Sequence, residues 1–176
     1  FTLAELKELN IGVKRGWVVP FCTAEEVFAQ FAGKLIFNIH LKEHGEEGYL
    51  IRELCRLADK YSARDSIYFA GSPAELAWMQ KIAPDIPRTA IQLPKDQIGI
   101  YEMAKTYDCS RVQFWLGMFD RELIDRLHGE GIRCNLFYAD TPEDYRKYFD
   151  MGIDTLLTNR MDLAAAYRRE SQTSLA

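Results

Sequence analysis

"KLIFNIHLKEHGEEG", residues 34–48, contains two of the chain's three histidines and sets them in an H-x-x-E-H spacing, His40-Leu41-Lys42-Glu43-His44. In a zinc enzyme carrying that motif, both histidines lie on one face of a helix, four residues apart. Here the approach is Leu35-Ile36-Phe37-Asn38-Ile39, rich in β-branched and aromatic side chains that suit a pleated strand. Gly45 and Gly48 follow and would interrupt a helix. On a strand the two histidines share a face but stand about 13 Å apart at ~3.3 Å per residue, too far for one metal ion. The stretch therefore reads as a strand end, with His44 as a solvated loop histidine. A strand sends Asn38, His40 and Lys42 to one side and Ile39 and Leu41 to the other.

Five more runs of the same kind follow it: residues 66–71, 88–93, 111–116, 132–140 and 154–159. Between them lie helical phrases, "GYLIRELCRLADKYS", "SPAELAWMQKIAP", "PKDQIGIYEMAKTYD", "MFDRELIDRLHGEG" and "TPEDYRKYFDMG". In the second phrase Leu76, Met79, Gln80 and Ala83 follow amphipathic-helix spacing. Ser72-Pro73 and Thr141-Pro142 read as N-caps with proline in the first turn, and Gly131 and Gly152 as helix stops. Strands alternating with helices of this length predict right-handed β-α-β units and a parallel sheet covered by helices. No linker or low-complexity segment divides the chain, so residues 1–176 are read as a single α/β domain.

Periodicity leaves an open doubly wound sheet and a closed (β/α)8 barrel as alternatives. The glycines of "KEHGEEG" lack G-x-G-x-x-G spacing, and no G-x-x-x-x-G-K-[ST] occurs, so neither nucleotide fingerprint is present. In both architectures, polar residues at the carboxyl ends of strands are where function gathers.

The composition excludes several classes. A net charge of −4 and dispersed lysines and arginines give no footprint for nucleic acid. No apolar run approaches the roughly 18 residues that span a bilayer, and no signal peptide is legible. Cys22, Cys55, Cys109 and Cys134 are far apart and form no C-x-x-C pair. They read as four buried thiols in a reducing compartment, which favours the cytoplasm. The chain begins at Phe1 and reads as a processed, trimmed or partial product. Trp17 and Trp78 are assigned to core packing, Trp115, near a strand end, to core packing with a pocket-facing position as the alternative, His128 to a helix end where its charge complements the dipole, and Glu46-Glu47 to a solvated helix start.

Taken in order, the phrases resemble the carboxyl-terminal two-thirds of the glycerophosphodiester phosphodiesterase family. "FTLAELKELNIG" is similar to the family's T-x-x-E-L-x-x-L phrase, "CTAEEVFAQFAGK" to its next helix, and "LIFNIHLK" to its L-N-I-E-I-K strand. "MQKIAPDI" is similar to a helix end, and residues 127–159 to its H-x-x-G-x-x-V-x-x-W-T and G-V/I-D-G/T-I-I/L-T-D/N ending. The resemblance runs from Phe1 to about Arg169 and implies a (β/α)8 TIM-type barrel with six of its eight β/α units in this chain.

It also implies metal-dependent hydrolysis of a small-molecule glycerophosphodiester to glycerol phosphate and an alcohol. A calcium, magnesium or manganese ion held by carboxylates would polarise the phosphodiester, and two histidines would act as base and acid. Carried over residue by residue, Lys42 is the phosphate contact, and Phe137 or Tyr138 is the substrate-binding aromatic. His40 stands where the family has a metal-binding glutamate, and imidazole suits zinc or manganese better than calcium or magnesium. Ala70-Gly71-Ser72 replaces the family's S-S-F. The H-R-G, E-x-D and I-H-D phrases, which carry the catalytic histidines and two metal carboxylates, do not occur.

The chain alone is therefore expected to be inactive and to bind no catalytic metal. A barrel lacking two strands exposes two parallel edges, so a second copy in a homo-oligomer, a partner segment or upstream residues should cover them. The competing readings are a non-catalytic barrel remnant with a binding or interaction role, and an unrelated α/β binding domain.

Overall fold

A computed structural model describes residues 1–93 and 98–173 of the chain. Two helices, α1 (Leu3–Lys7) and α2 (Ala24–Phe31), precede the sheet. Each starts at a threonine whose hydroxyl accepts a backbone N–H while a glutamate three residues on returns the bond, Thr2 with Glu5 and Thr23 with Glu26. Among the described residues strand and α-helix then alternate: β1 (Phe37–His40), α3 (Tyr49–Lys60), β2 (Ile67–Gly71), α4 (Pro73–Ile82), β3 (Arg88–Ile91) and α5 (Ile100–Thr106). The second half continues with β4 (Arg111–Trp115), α6 (Arg121–Gly129), β5 (Arg133–Phe137), α7 (Pro142–Asp150), β6 (Thr155–Leu157) and α8 (Met161–Thr173). All six expected strands are present. The opening of the third expected helix, residues 94–97, lies outside the described residues.

The strands form one six-stranded sheet in the order 1-2-3-4-5-6, every neighbouring pair parallel. Side chains from β1 and β6, Asn38 and Thr155 among them, line the same interior cavity, so the sheet curls on itself. The architecture is six units of a (β/α)8 barrel. β1 opens the sheet and β6 ends it.

Alternation along each strand gives the sheet two unlike faces. Outward, Phe69, Val112, Phe114 and Leu136 are buried against Leu76, Met103 and Leu127 of the helices. This is the main core. Inward, the axis is lined by Tyr68, Thr89, Gln113 and Asn135, all buried. Gln113 pairs with Asn135, and Asn135 with Thr155, so a polar row crosses β4, β5 and β6.

Helix starts follow the sequence signals. Glu75 reaches back to the backbone N–H and hydroxyl of Ser72, and Thr141 accepts the Asp144 N–H at 3.2 Å, each with proline next in the chain. Gly48 precedes α3 at φ +78°, and a Cβ there would lie 2.2 Å from Ile82 Cδ1 and 3.0 Å from Trp78 Cε3. At this close approach only glycine fits.

Buried Arg88 has no counterpart in the sequence reading. Its guanidinium donates to the carbonyls of Tyr107 (2.9 Å), Pro84 (3.1 Å) and Asp108 (3.0 Å), stitching the base of β3 to the turn after α5.

Four expectations need correction. Cys109 and Cys134 are buried, but Cys22, in the segment before α2, is exposed and Cys55, on α3, is half-buried. Trp17 is 61% exposed in that same segment and is no core aromatic. Leu76, Met79 and Ala83 are buried, whereas Gln80 points to solvent. His44 is half-buried, its ring centroid 5.4 Å from that of Trp78 and its Nδ1 2.6 Å from the Gly45 carbonyl.

Candidate functional site

β1 stops at His40, and no helix joins His40 to His44, which excludes the zinc-helix reading. Leu41 continues the strand direction by donating to the Ala70 carbonyl at 2.8 Å, and its side chain is buried. His40 and Lys42 are thereby directed to the other side. There they line a cavity of about 450 Å3 at the carboxyl ends of the strands.

The structure gathers all four candidate residues, His40, Lys42, Phe137 and Tyr138, around this one cavity. Phe137 ends β5 and Tyr138 is the next residue, their ring centroids 5.4 Å apart. Phe137 also packs on Trp115, with centroids 4.6 Å apart and planes at 38°. Trp115 is 37% exposed and Tyr138 47%, and both line the cavity. Of the two readings of Trp115, the pocket-facing one holds and core packing is corrected: it ends β4 and lines the cavity.

Ser72 and Glu75 complete the wall from the start of α4. The Glu75 side chain is buried by its capping interaction yet still faces the cavity. Burial, then the Lys42 ammonium, lower the His40 pKa below its usual value, and Glu75 opposes them. The cavity thus favours a neutral imidazole beside a cation. Among the described residues Lys42 makes no ion pair, and it is exposed.

Beneath lies a smaller cavity of about 310 Å3 that reaches the polar inner face. On that inner face the side-chain oxygens of Asn38 and Thr89 and the amides of Gln113 and Asn135 are buried without a hydrogen-bond partner among the described residues. The Tyr68 hydroxyl lies beside Asn135 without completing a bond. Its pKa is raised by burial, against opposing effects of Arg111 and Asn135. Buried polar atoms in native proteins are nearly always satisfied. These five side chains point to the axis that a closed barrel fills with further side chains.

The loops after β5 and β6 are tied together by Asp140. Its Oδ1 accepts the Asn159 N–H at 2.7 Å and the Thr158 hydroxyl at 3.0 Å, and its Oδ2 accepts the Asn159 amide at 3.0 Å. Those bonds hold its carboxyl below the usual carboxylate range.

The donors this chain brings to the upper cavity do not make a site for calcium or magnesium. Such ions take six or more oxygen ligands, with several carboxylates or waters. Here there is one imidazole, and one carboxylate with an oxygen already committed to the α4 cap.

Sequence reasoning does not single out Ser72 or Glu75 as site residues, and it offers Trp115 a pocket-facing position only as the alternative to packing. The S-P-x-E cap announces a helix start after a strand, which is where a barrel places its mouth. Trp115 at a strand's carboxyl end carries the same positional signal.

No protein-family model matches the chain. No curated protein sequence matches it either. Solved structures do match. A Galdieria sulphuraria protein named for glycerophosphodiester phosphodiesterase activity superposes with a TM-score of 0.80 at 21% identity, over 95% of this chain and 70% of its own. The Thermotoga maritima glycerophosphodiester phosphodiesterase gives 0.72 at 20% identity, over 94% and 69%. An Oleispira antarctica phosphodiesterase, solved with the product sn-glycerol-3-phosphate, gives 0.73 at 19% identity, over 89% and 66%. The fold is that of the glycerophosphodiester phosphodiesterases. The chain spans about two thirds of the length of these solved proteins.

Proposed function

We propose that the upper cavity binds the phosphate end of a glycerophosphodiester, and that this chain supplies the carboxyl-terminal six units of a phosphodiesterase barrel. The observation that carries the proposal is the exposed Lys42 ammonium beside His40, opposite an aromatic wall of Trp115, Phe137 and Tyr138. An ammonium and a phosphate oxygen form a charge-assisted hydrogen bond. The aromatic wall suits the carbon skeleton of glycerol or of the leaving alcohol. The same fold in the Oleispira antarctica protein holds sn-glycerol-3-phosphate, which supports the choice of ligand.

Hydrolysis needs a general acid, a general base and carboxylates for a divalent cation. The phrases that carry them in the family are not in this chain. Residues that complete the barrel from outside this chain would bring that chemistry and would also meet the unpartnered polar atoms of the inner face. Calorimetry with sn-glycerol 3-phosphate tests the binding: saturable binding weakened tenfold or more in Lys42→Met is expected, and no binding by the wild type rejects it.

His40 in place of a metal-binding glutamate favours a second reading, a barrel that binds the ligand without cleaving it. A hydrolysis assay on a glycerophosphodiester, run on the longest natural form of the protein with added calcium, magnesium or manganese, separates the two. Among the described residues no helix is long and apolar enough to cross a membrane.

A further inference from the structure

We propose that His128, Cys134 and Asp154 form a binding site for a divalent cation of the zinc class. It lies at the amino-terminal ends of the strands, away from the cavity described above. Three elements converge there: His128 in the last turn of α6, Cys134 as the second residue of β5, and Asp154 immediately before β6. One ligand atom from each lies within 4.8 Å of the other two. Donors around a tetrahedral zinc at ordinary bond lengths stand roughly 3.3–3.8 Å apart, so small side-chain rotations suffice.

The carboxylate is held in place. Asp154 Oδ2 accepts the Cys134 N–H at 2.7 Å, while the Asp154 N–H donates to the Cys134 carbonyl at 2.8 Å. The same oxygen lies 2.9 Å from His128 Nε2. The imidazole ring sits against Gly152, where an added Cβ would come within 3.6 Å of His128 Cε1. A backbone N–H that fixes a ligating carboxylate is the outer support that metal sites need.

The donor set selects the ion. A thiolate, an imidazole and a carboxylate together suit zinc or cobalt and not calcium or magnesium. Thiolate and carboxylate balance a 2+ charge. The thiol is fully buried, but His128 and Asp154 side chains are 37% and 34% exposed, which leaves an entry route and room for water as the fourth ligand. On binding, the thiol proton leaves to solvent and the imidazole offers its Nε2 lone pair. No oxidation step is involved.

Cobalt(II) titration of the full protein, followed by absorption, tests the site. One ion per chain is expected, with tetrahedral visible bands and a near-ultraviolet thiolate-to-cobalt band, all bleached when zinc is added. Cys134→Ser should lose the near-ultraviolet band, and Asp154→Asn and His128→Asn should each bind at least tenfold more weakly. Because Cys134 is buried, its variant can fail to fold, and His128→Asn then decides, with circular dichroism to show that it folds. A wild-type spectrum of free hexaaqua cobalt, or unchanged affinity in His128→Asn, overturns the proposal and leaves a His–Asp pair that serves only the α6 terminus.

Discussion

His40 and Glu75 face one cavity from two elements, the imidazole at the end of β1 and the carboxylate in the first turn of α4. Glu75 favours the imidazolium, while burial and Lys42 disfavour it more strongly. The folded protein therefore binds the His40 proton less readily than the unfolded chain, whose imidazole titrates near 6.5. Stability from this group is present above about pH 6.5 and lost as pH falls below it. Chemical denaturation between pH 7.5 and 5.5 should show a decline that is shallower in His40→Asn. Glu75→Gln, which keeps a capping side chain, should make the decline steeper. Equal slopes in all three proteins would refute this account of the pair.

Trp115 offers a spectroscopic readout of the site. Binding of a glycerophosphodiester should change its emission, because the ring is part-exposed at the cavity mouth. Trp115→Ala should weaken the glycerophosphodiester by about 1 kcal/mol, roughly the value of an aromatic contact beyond its area. Inorganic phosphate, which reaches Lys42 and has no carbon skeleton, should bind both proteins alike. A loss equal for the two ligands would mean that the ring supports the fold and not the ligand.

Arg88 and Asp108 form an ion pair of two unequal members, with side chains 3% and 87% exposed. Arg88→Met strands several carbonyls that the guanidinium satisfies, and should cost about 3 kcal/mol or more. Asp108→Asn should cost less than about 0.5 kcal/mol, as for other solvated pairs. Urea midpoints measure both, and similar losses would contradict the assignment of the stability to the carbonyl bonds.

Gly48 and Gly131 both have positive φ, at +78° and +74°, but only the first is crowded. Gly48→Ala forces a Cβ into Ile82 and Trp78 and should cost about 2–3 kcal/mol. At Gly131 a Cβ meets nothing within 4 Å, so Gly131→Ala should cost about 1 kcal/mol from backbone strain alone. Thermal unfolding should rank them in that order.

The edges at β1 and β6 lead to an expectation for solution behaviour. This 176-residue chain by itself should associate, through parallel edges and the polar interior that it leaves unfilled. Light scattering that finds a compact, cooperatively melting monomer would reject this.

Strand positions were legible because each is a short β-branched or aromatic run between helix signals. The side on which His40 and Lys42 fall followed from the period of two alone. Their neighbours in space did not, because Glu75 and Trp115 reach the cavity only through the pairing of β1 with β2 and the curl that carries β4 round. Arg88 was illegible for a related reason: its partners are backbone carbonyls, which carry no residue identity. The exposure of Cys22 and Trp17 escaped as well, since apolar composition in the segment before β1 does not say whether the sheet has a face to receive it.

The strictly sequential strand order also bears on how the chain assembles. Among the described residues every pair of neighbouring strands in the sheet is also consecutive in sequence, joined across one α-helix and its flanking turns and loops. Each new pairing therefore closes a short loop of similar length and adds one unit to whatever has already formed. Formation of the sheet resembles the growth of a stacked repeat more than the closing of a ring. Damage to one β/α unit should be felt first by the units on either side, so that native-state hydrogen exchange would fall off with distance along the chain from the lesion.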